Sequence, residues 1–262
     1  MAKKSRVRKA AARPTAPGAL DQITRMAGAS ALARFAWRGR GKAPAGYVKG
    51  MALVYGRVYC KFKAGDAAVV DMARKNTGDL THDALAWYDD VFNAAGMDNR
   101  TSGVDTLRHL FVLLTGLGMR ESSGRYYEGR DTTARNVTAD TAEAGLFQTS
   151  FNAKSASSFL PRIFVQYQRN PSGFLDVFKE GVRPSAAGLR NFGSGTGKEF
   201  QRLSKECPAF AAEFAAVALR HIRKHWGPII RKQAQVRPEC DALLSRVQAA
   251  IDASLALRSA LV

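Results

Sequence analysis

"VDTLRHLFVLLTGLGMRESSG", residues 104–124, decides how this chain folds. Leu107, Leu110, Phe111, Leu114, Leu117 and Gly118 recur at i, i+3, i+4 and i+7 steps, which predicts a helix over 104–120 with that stripe in the core. It is the most apolar segment of the chain and reads as its central helix. Glu121 stands four residues beyond Leu117 and seven beyond Leu114, so it continues the buried stripe. Burial and the negative end of the helix dipole both disfavour an ionised carboxyl there. A carboxyl that keeps its proton near neutral pH is what a general acid requires. The plainer alternative is a helix-end residue that points into water.

Working outward, apolar residues at helical spacing predict helices over 47–62, 66–75 and 82–95, separated by the turns "NTGD" and "GMDNRTSG". Helices resume over 155–169, 172–180, 198–205, 208–225 and 238–260. Residues 121–150 lack helical periodicity and are rich in Gly, Thr and Tyr. The stretch "RPSAAGLRNFGSGTG", 183–197, reads as a loop. The expected fold is mainly α: a helical bundle around one central buried helix, with a small irregular or β-hairpin insert that forms a cleft. Residues 43–262 are expected to form one catalytic domain. Residues 1–42 are expected to form a basic tail, disordered or loosely helical, with a short amphipathic helix within 20–37 and a linker at 38–46.

The chain's net charge of +18 favours polyanionic partners: nucleic acid, an anionic membrane surface or an acidic wall polymer. Residues 1–42 hold eleven Lys or Arg against the single acid Asp21, a net +10, so the remainder is basic as well. The tail suits an anionic surface or nucleic acid. No apolar run reaches the ~18 residues of a membrane span, and Asp21 and Arg25 interrupt any signal-peptide core. The chain is therefore expected to be cytoplasmic as encoded, acting elsewhere after release or non-classical export.

Two stretches, "ESSG" at 121–124 and "AGLFQTS" at 144–150, together resemble the active-site signature of goose-type lysozymes and soluble lytic transglycosylases. Glu121-Ser122 and Gly145-Leu146-Phe147-Gln148 match it residue for residue. The resemblance covers about residues 104–200. It implies a lysozyme-like α+β fold and a muramidase that cleaves the β-1,4 bond between N-acetylmuramic acid and N-acetylglucosamine in peptidoglycan. Glu121 would protonate the glycosidic oxygen. Gln148 would hold an N-acetylsugar, and Gly145 would let the backbone approach it closely. Ser122, Tyr127, Thr149 and Asn191 complete the expected substrate-binding set.

Candidates for the second acid are Glu128, Asp131, Asp140 and Glu143, with Asp140 the first choice and Asp131 the second. Ser150 occupies the place of another family Asp, which leaves hydrolysis and transglycosylation both open. An inverting hydrolase would hold its carboxylates about 6.5–9.5 Å apart. Cationic chitosan is disfavoured by the charge, whereas neutral chitin is not. A non-catalytic, basic nucleic-acid-binding protein on a related fold is the competing reading.

Other constellations carry less. His221 and His225 lie at i, i+4 but stand among Arg220, Arg223 and Lys224, so neither a metal site nor a cofactor is expected. "GSGTGK" (193–198) lacks the phosphate-loop spacing. His109 reads as a core residue. Cys60, Cys207 and Cys240 read as buried or idle thiols, with a Cys207–Cys240 bridge the alternative.

Overall fold

In the computed structural model, which describes residues 18–132 and 138–262, the chain is mainly helical with one small two-stranded sheet. It begins with α1 (Ala19–Gly28), α2 (Ala31–Arg34) and a hairpin of β1 (Ala36–Trp37) and β2 (Gly41–Lys42). Then follow α3 (Ala45–Lys63), α4 (Ala67–Met72), α5 (Ala84–Trp87), α6 (Asp89–Ala94) and α7 (Val104–Ser122). A 3-10 turn at Phe151–Ala156 leads into α8 (Phe159–Arg169), α9 (Leu175–Phe178), α10 (Ala186–Leu189), α11 (Gly195–Glu206) and α12 (Pro208–His221). A second 3-10 turn (Arg223–His225) precedes α13 (Gly227–Ile230), α14 (Pro238–Ala253) and α15 (Leu255–Leu261).

Three helices, α3, α7 and α12, are buried on nearly every side and pack on one another, where a single central helix was expected. Small residues permit this. A methyl group built on Gly116 of α7 would meet the Gln235 carbonyl at 2.3 Å, and one on Gly118 would meet the Tyr47 hydroxyl of α3 at 2.3 Å. That hydroxyl donates to the Thr115 carbonyl at 2.7 Å and ties the two helices together. On α12, Arg220 is fully buried. It forks onto Asp83 at 3.0 Å and donates to the carbonyls of Met72, Arg74 and Lys75.

The expected division at residue 42 does not match the packing. Ile23 and Ala27 of α1, Leu32 of α2 and Trp37 of the hairpin all enter the common core, so residues 18–42 belong to the body. Burial of the apolar face of α1 against α3 accounts for this, since apolar area removed from water stabilises the packed form. Residues 1–17 of the expected tail lie outside the described residues. Among the described residues of the insert within 121–150 there is a single bridge, Ala144 with Thr149; the hairpin lies at 36–42.

Length explains other differences. The segment expected at 82–95 divides at Tyr88, and that at 238–260 divides at Ser254, whose hydroxyl caps α15. All three cysteines are buried free thiols, so Cys207 and Cys240 are not bridged. No helix among the described residues is long and apolar enough to cross a membrane.

Candidate active site

Glu121 occupies the last turn of α7. The helix ends where Ser123 turns left-handed (φ 55°), and the N–H groups of Ser123 and Gly124 donate to the carbonyls of Met119 (3.1 Å) and Gly118 (3.2 Å). Gly124 is also left-handed and lies against the Tyr47 ring, so a side chain there is excluded twice over. The stop fixes Glu121 at the edge of the core, partly exposed. Burial pushes its carboxyl up to about 7, and the negative charge of Glu143 pushes in the same direction. Arg40, Arg231 and Arg120 oppose both. Burial also raises Glu143, with the charge of Asp131 second.

The "AGLFQT" segment folds as a tight turn against the end of α7. The Ala144 N–H donates to the Thr149 carbonyl at 3.0 Å, and Gly145 (φ 76°) and Gln148 (φ 47°) are both left-handed. Left-handed backbone at a glutamine costs energy, and such strain collects at working sites. Between these residues Phe147 is driven inward. Its ring would sit 2.9 Å from a methyl group on Gly118, and its carbonyl accepts the Trp226 indole N–H at 2.7 Å. The two halves of the sequence signature therefore meet, one helical turn before Glu121.

Several expected contacts have other duties. Ser122 and Thr149 are 0% exposed; Ser122 donates back to the Gly118 carbonyl at 3.0 Å, while the buried Thr149 hydroxyl has no hydrogen-bond partner among the described residues. Gly145 makes room for α11: a methyl there would meet the Ser204 carbonyl at 2.6 Å. Gln148 is 8% exposed and gives its amide N–H groups to the carbonyls of Gly145 (3.1 Å) and Glu128 (3.4 Å), which locks the turn. Tyr127 is also 8% exposed. Its ring packs closely against Gly188, and both residues line a groove.

The acids also sort differently from expectation. Asp140, the first choice for the second acid, is exposed, and its Oδ1 lies 2.4 Å from where a methyl on Gly197 would stand, in the first turn of α11. Glu128 is paired with Arg125 at 2.7 Å. Glu143 is the acid whose charge acts on Glu121, and Asp131 acts on Glu143 in turn.

Beyond these acids a groove runs between the insert and the 183–197 loop. One depression of ≈ 250 Å³ is lined by Tyr127, Arg130 and Gly188, and a second of ≈ 290 Å³ by Arg130, Asn191 and Phe192. Arg130 lies over the Phe192 ring at 4.1 Å. The Asn191 Oδ1 is buried and has no hydrogen-bond partner among the described residues, so this wall holds an unsatisfied acceptor.

Two residues that sequence reasoning passed over hold the loop. Gln201 accepts from the Phe192 N–H (2.8 Å) and donates to the carbonyls of Ala139 (3.0 Å), Phe192 (3.1 Å) and Gly197 (3.2 Å). Lys205, pushed down to about 8 by burial, donates to the carbonyls of Gly188, Leu189 and Arg190. Their signal was visible: Gly197, Phe200, Gln201, Ser204 and Lys205 form the buried stripe of α11, and three of them are polar.

Elsewhere, His221 bonds Asp71 at 2.7 Å and His109 bonds Asn99 at 2.9 Å. Among the described residues no group of three His, Cys, Asp or Glu could hold a metal ion. No family model, curated protein or solved structure matches the chain.

Proposed function

We propose that this chain is a lysozyme-like glycosidase that cleaves the β-1,4 bond between N-acetylmuramic acid and N-acetylglucosamine in peptidoglycan, with Glu121 as general acid and Glu143 as its carboxylate partner. The observation that carries the reading is the Glu121 carboxyl, held up to about 7 in the last turn of the buried helix α7, within electrostatic reach of Glu143. At neutral pH a large share of it is protonated and able to donate.

In this reading Glu121 protonates the glycosidic oxygen as the C–O bond breaks, and the ionised Glu143 offsets the positive charge that develops on the sugar. Attack by water gives hydrolysis, with Glu143 accepting the water's proton. Attack by the sugar's own 6-hydroxyl gives an anhydro end, with the hydroxyl proton returned to Glu121. The unsatisfied Asn191 Oδ1 suits the N–H of an acetamido group. The net charge of +18 suits an acidic wall polymer.

The test is mass spectrometry of purified peptidoglycan digested by wild type and by Glu121→Gln. Reducing ends report hydrolysis and anhydro ends report transglycosylation. The variant is expected to lose roughly 10²–10⁴-fold in rate while remaining folded. Equal rates for the two proteins, or salt-sensitive DNA binding with no glycan cleavage, would overturn the reading.

A further inference from the structure

A separate concave surface is lined in part by Arg120 and Arg231, two of the cations that act on Glu121. It encloses ≈ 440 Å³, and its walls carry Arg38, Arg120, Arg231, Lys232 and Arg237 with no acidic residue. Lys232 is neutralised by Asp90 at 2.6 Å and Arg237 by Glu239 at 2.9 Å. Arg38, Arg120 and Arg231 have no carboxylate within ion-pair distance among the described residues. Three unneutralised guanidinium groups around one hollow repel one another, a cost that an anion entering the hollow would remove.

The hollow is also built firmly. The Arg38 N–H donates to the Gln235 side chain at 2.7 Å, and the Gln235 backbone presses on Gly116 of the buried α7. The Arg120 carbonyl accepts from Arg40 at 2.5 Å. Arg120 and Arg231 both act electrostatically on Glu121, so an anion held here lies within range of the acid.

We infer that this hollow receives carboxylates of the acidic peptide borne by the glycan strand that Glu121 cleaves, an inference that rests on the glycosidase reading. Guanidinium groups present a planar fork that fits a carboxylate with two parallel hydrogen bonds. A bound carboxylate would hold the strand in register with Glu121. By adding negative charge nearby, it would also favour the protonated acid.

Binding, measured apart from turnover, tests this. In a Glu121→Gln chain, calorimetry at low ionic strength compares a disaccharide carrying its acidic peptide with the same compound after its carboxyls are amidated. The acidic form is expected to bind about tenfold more tightly. Adding R38A and R231A, at two exposed positions, is expected to bring the ratio close to one. Equal binding of the two compounds, or a ratio that survives R38A/R231A, would overturn the inference. So would a single-stranded oligonucleotide that displaces the acidic compound, since the hollow would then serve nucleic acid. If wild type releases no saccharide ends while the ratio holds, the glycosidase reading fails and the anion site stands.

Discussion

Phe147 lies with its ring edge against the backbone of Gly118, 2.9 Å from where a side chain would begin. Through this contact the turn that carries Gln148 is seated on the last turns of the helix that ends in Glu121. The Trp226 indole holds the same turn from behind through the Phe147 carbonyl. A site assembled this way depends on a missing methyl group as much as on its polar residues.

Gly118→Ala is therefore expected to destabilise the fold by ~1–3 kcal/mol, because the new methyl would meet the buried, hydrogen-bonded Tyr47 hydroxyl at 2.3 Å as well as Phe147. For a chain of this size the melting temperature should fall by roughly 2–4 °C per kcal/mol. An unchanged melting curve would show that the helices separate more easily than their packing implies.

Glu121 makes stability depend on pH in a specific direction. Its folded carboxyl, at about 7, holds the proton more tightly than an ordinary carboxyl at 4.5. The folded state thus binds more protons between these values, and stability declines as pH rises from about 4.5 to about 7. Glu121→Gln removes this penalty. The variant should match wild type near pH 4 and exceed it by about 2–3 kcal/mol at pH 9. Urea titrations at the two pH values measure the difference, and parallel curves would place the Glu121 carboxyl in ordinary solvent.

Glu143→Gln leaves the burial that chiefly keeps the proton on Glu121 but removes the like charge that adds to it. The alkaline limb of the kcat/KM profile should move to lower pH, and activity at pH 7 should fall by roughly 10- to 100-fold. Asp140→Asn should leave that limb in place, because the Asp140 carboxylate lies against the first turn of α11. If Asp140→Asn moves the limb and Glu143→Gln does not, the assignment of the two acids is reversed.

Gln201→Ala would strip the Phe192 N–H of its acceptor and three carbonyls of a donor. The expected cost is ~1–3 kcal/mol. Hydrogen exchange should show Phe192 losing protection while the amides of α7 keep theirs. Retained protection at Phe192 would mean that Lys205 alone suffices to hold the loop.

Much of this architecture was legible in the order of residues. The 3.6-residue period located α3, α7 and α12, and it placed Glu121 on the inward stripe of α7, because side-chain direction around a helix follows from spacing alone. The left-handed Ser123 that closes that helix carried no such signal, because a serine there does not announce its backbone. The amphipathic helix within 20–37 was legible and forms α1, but its packing into the body was not, because the apolar face it buries, Ile23 and Ala27, is brief.

By itself the sequence determined which residues share a helix face and where the chain must turn, because these depend on neighbours a few positions apart. Only the tertiary structure decided that Glu143, and not Asp140, bears on Glu121, that Ser122 and Thr149 are sealed from solvent, and that Arg120 and Arg231 border one hollow. Charge and burial act through space between segments far apart in the chain, and no periodicity within a segment encodes which others will pack beside it.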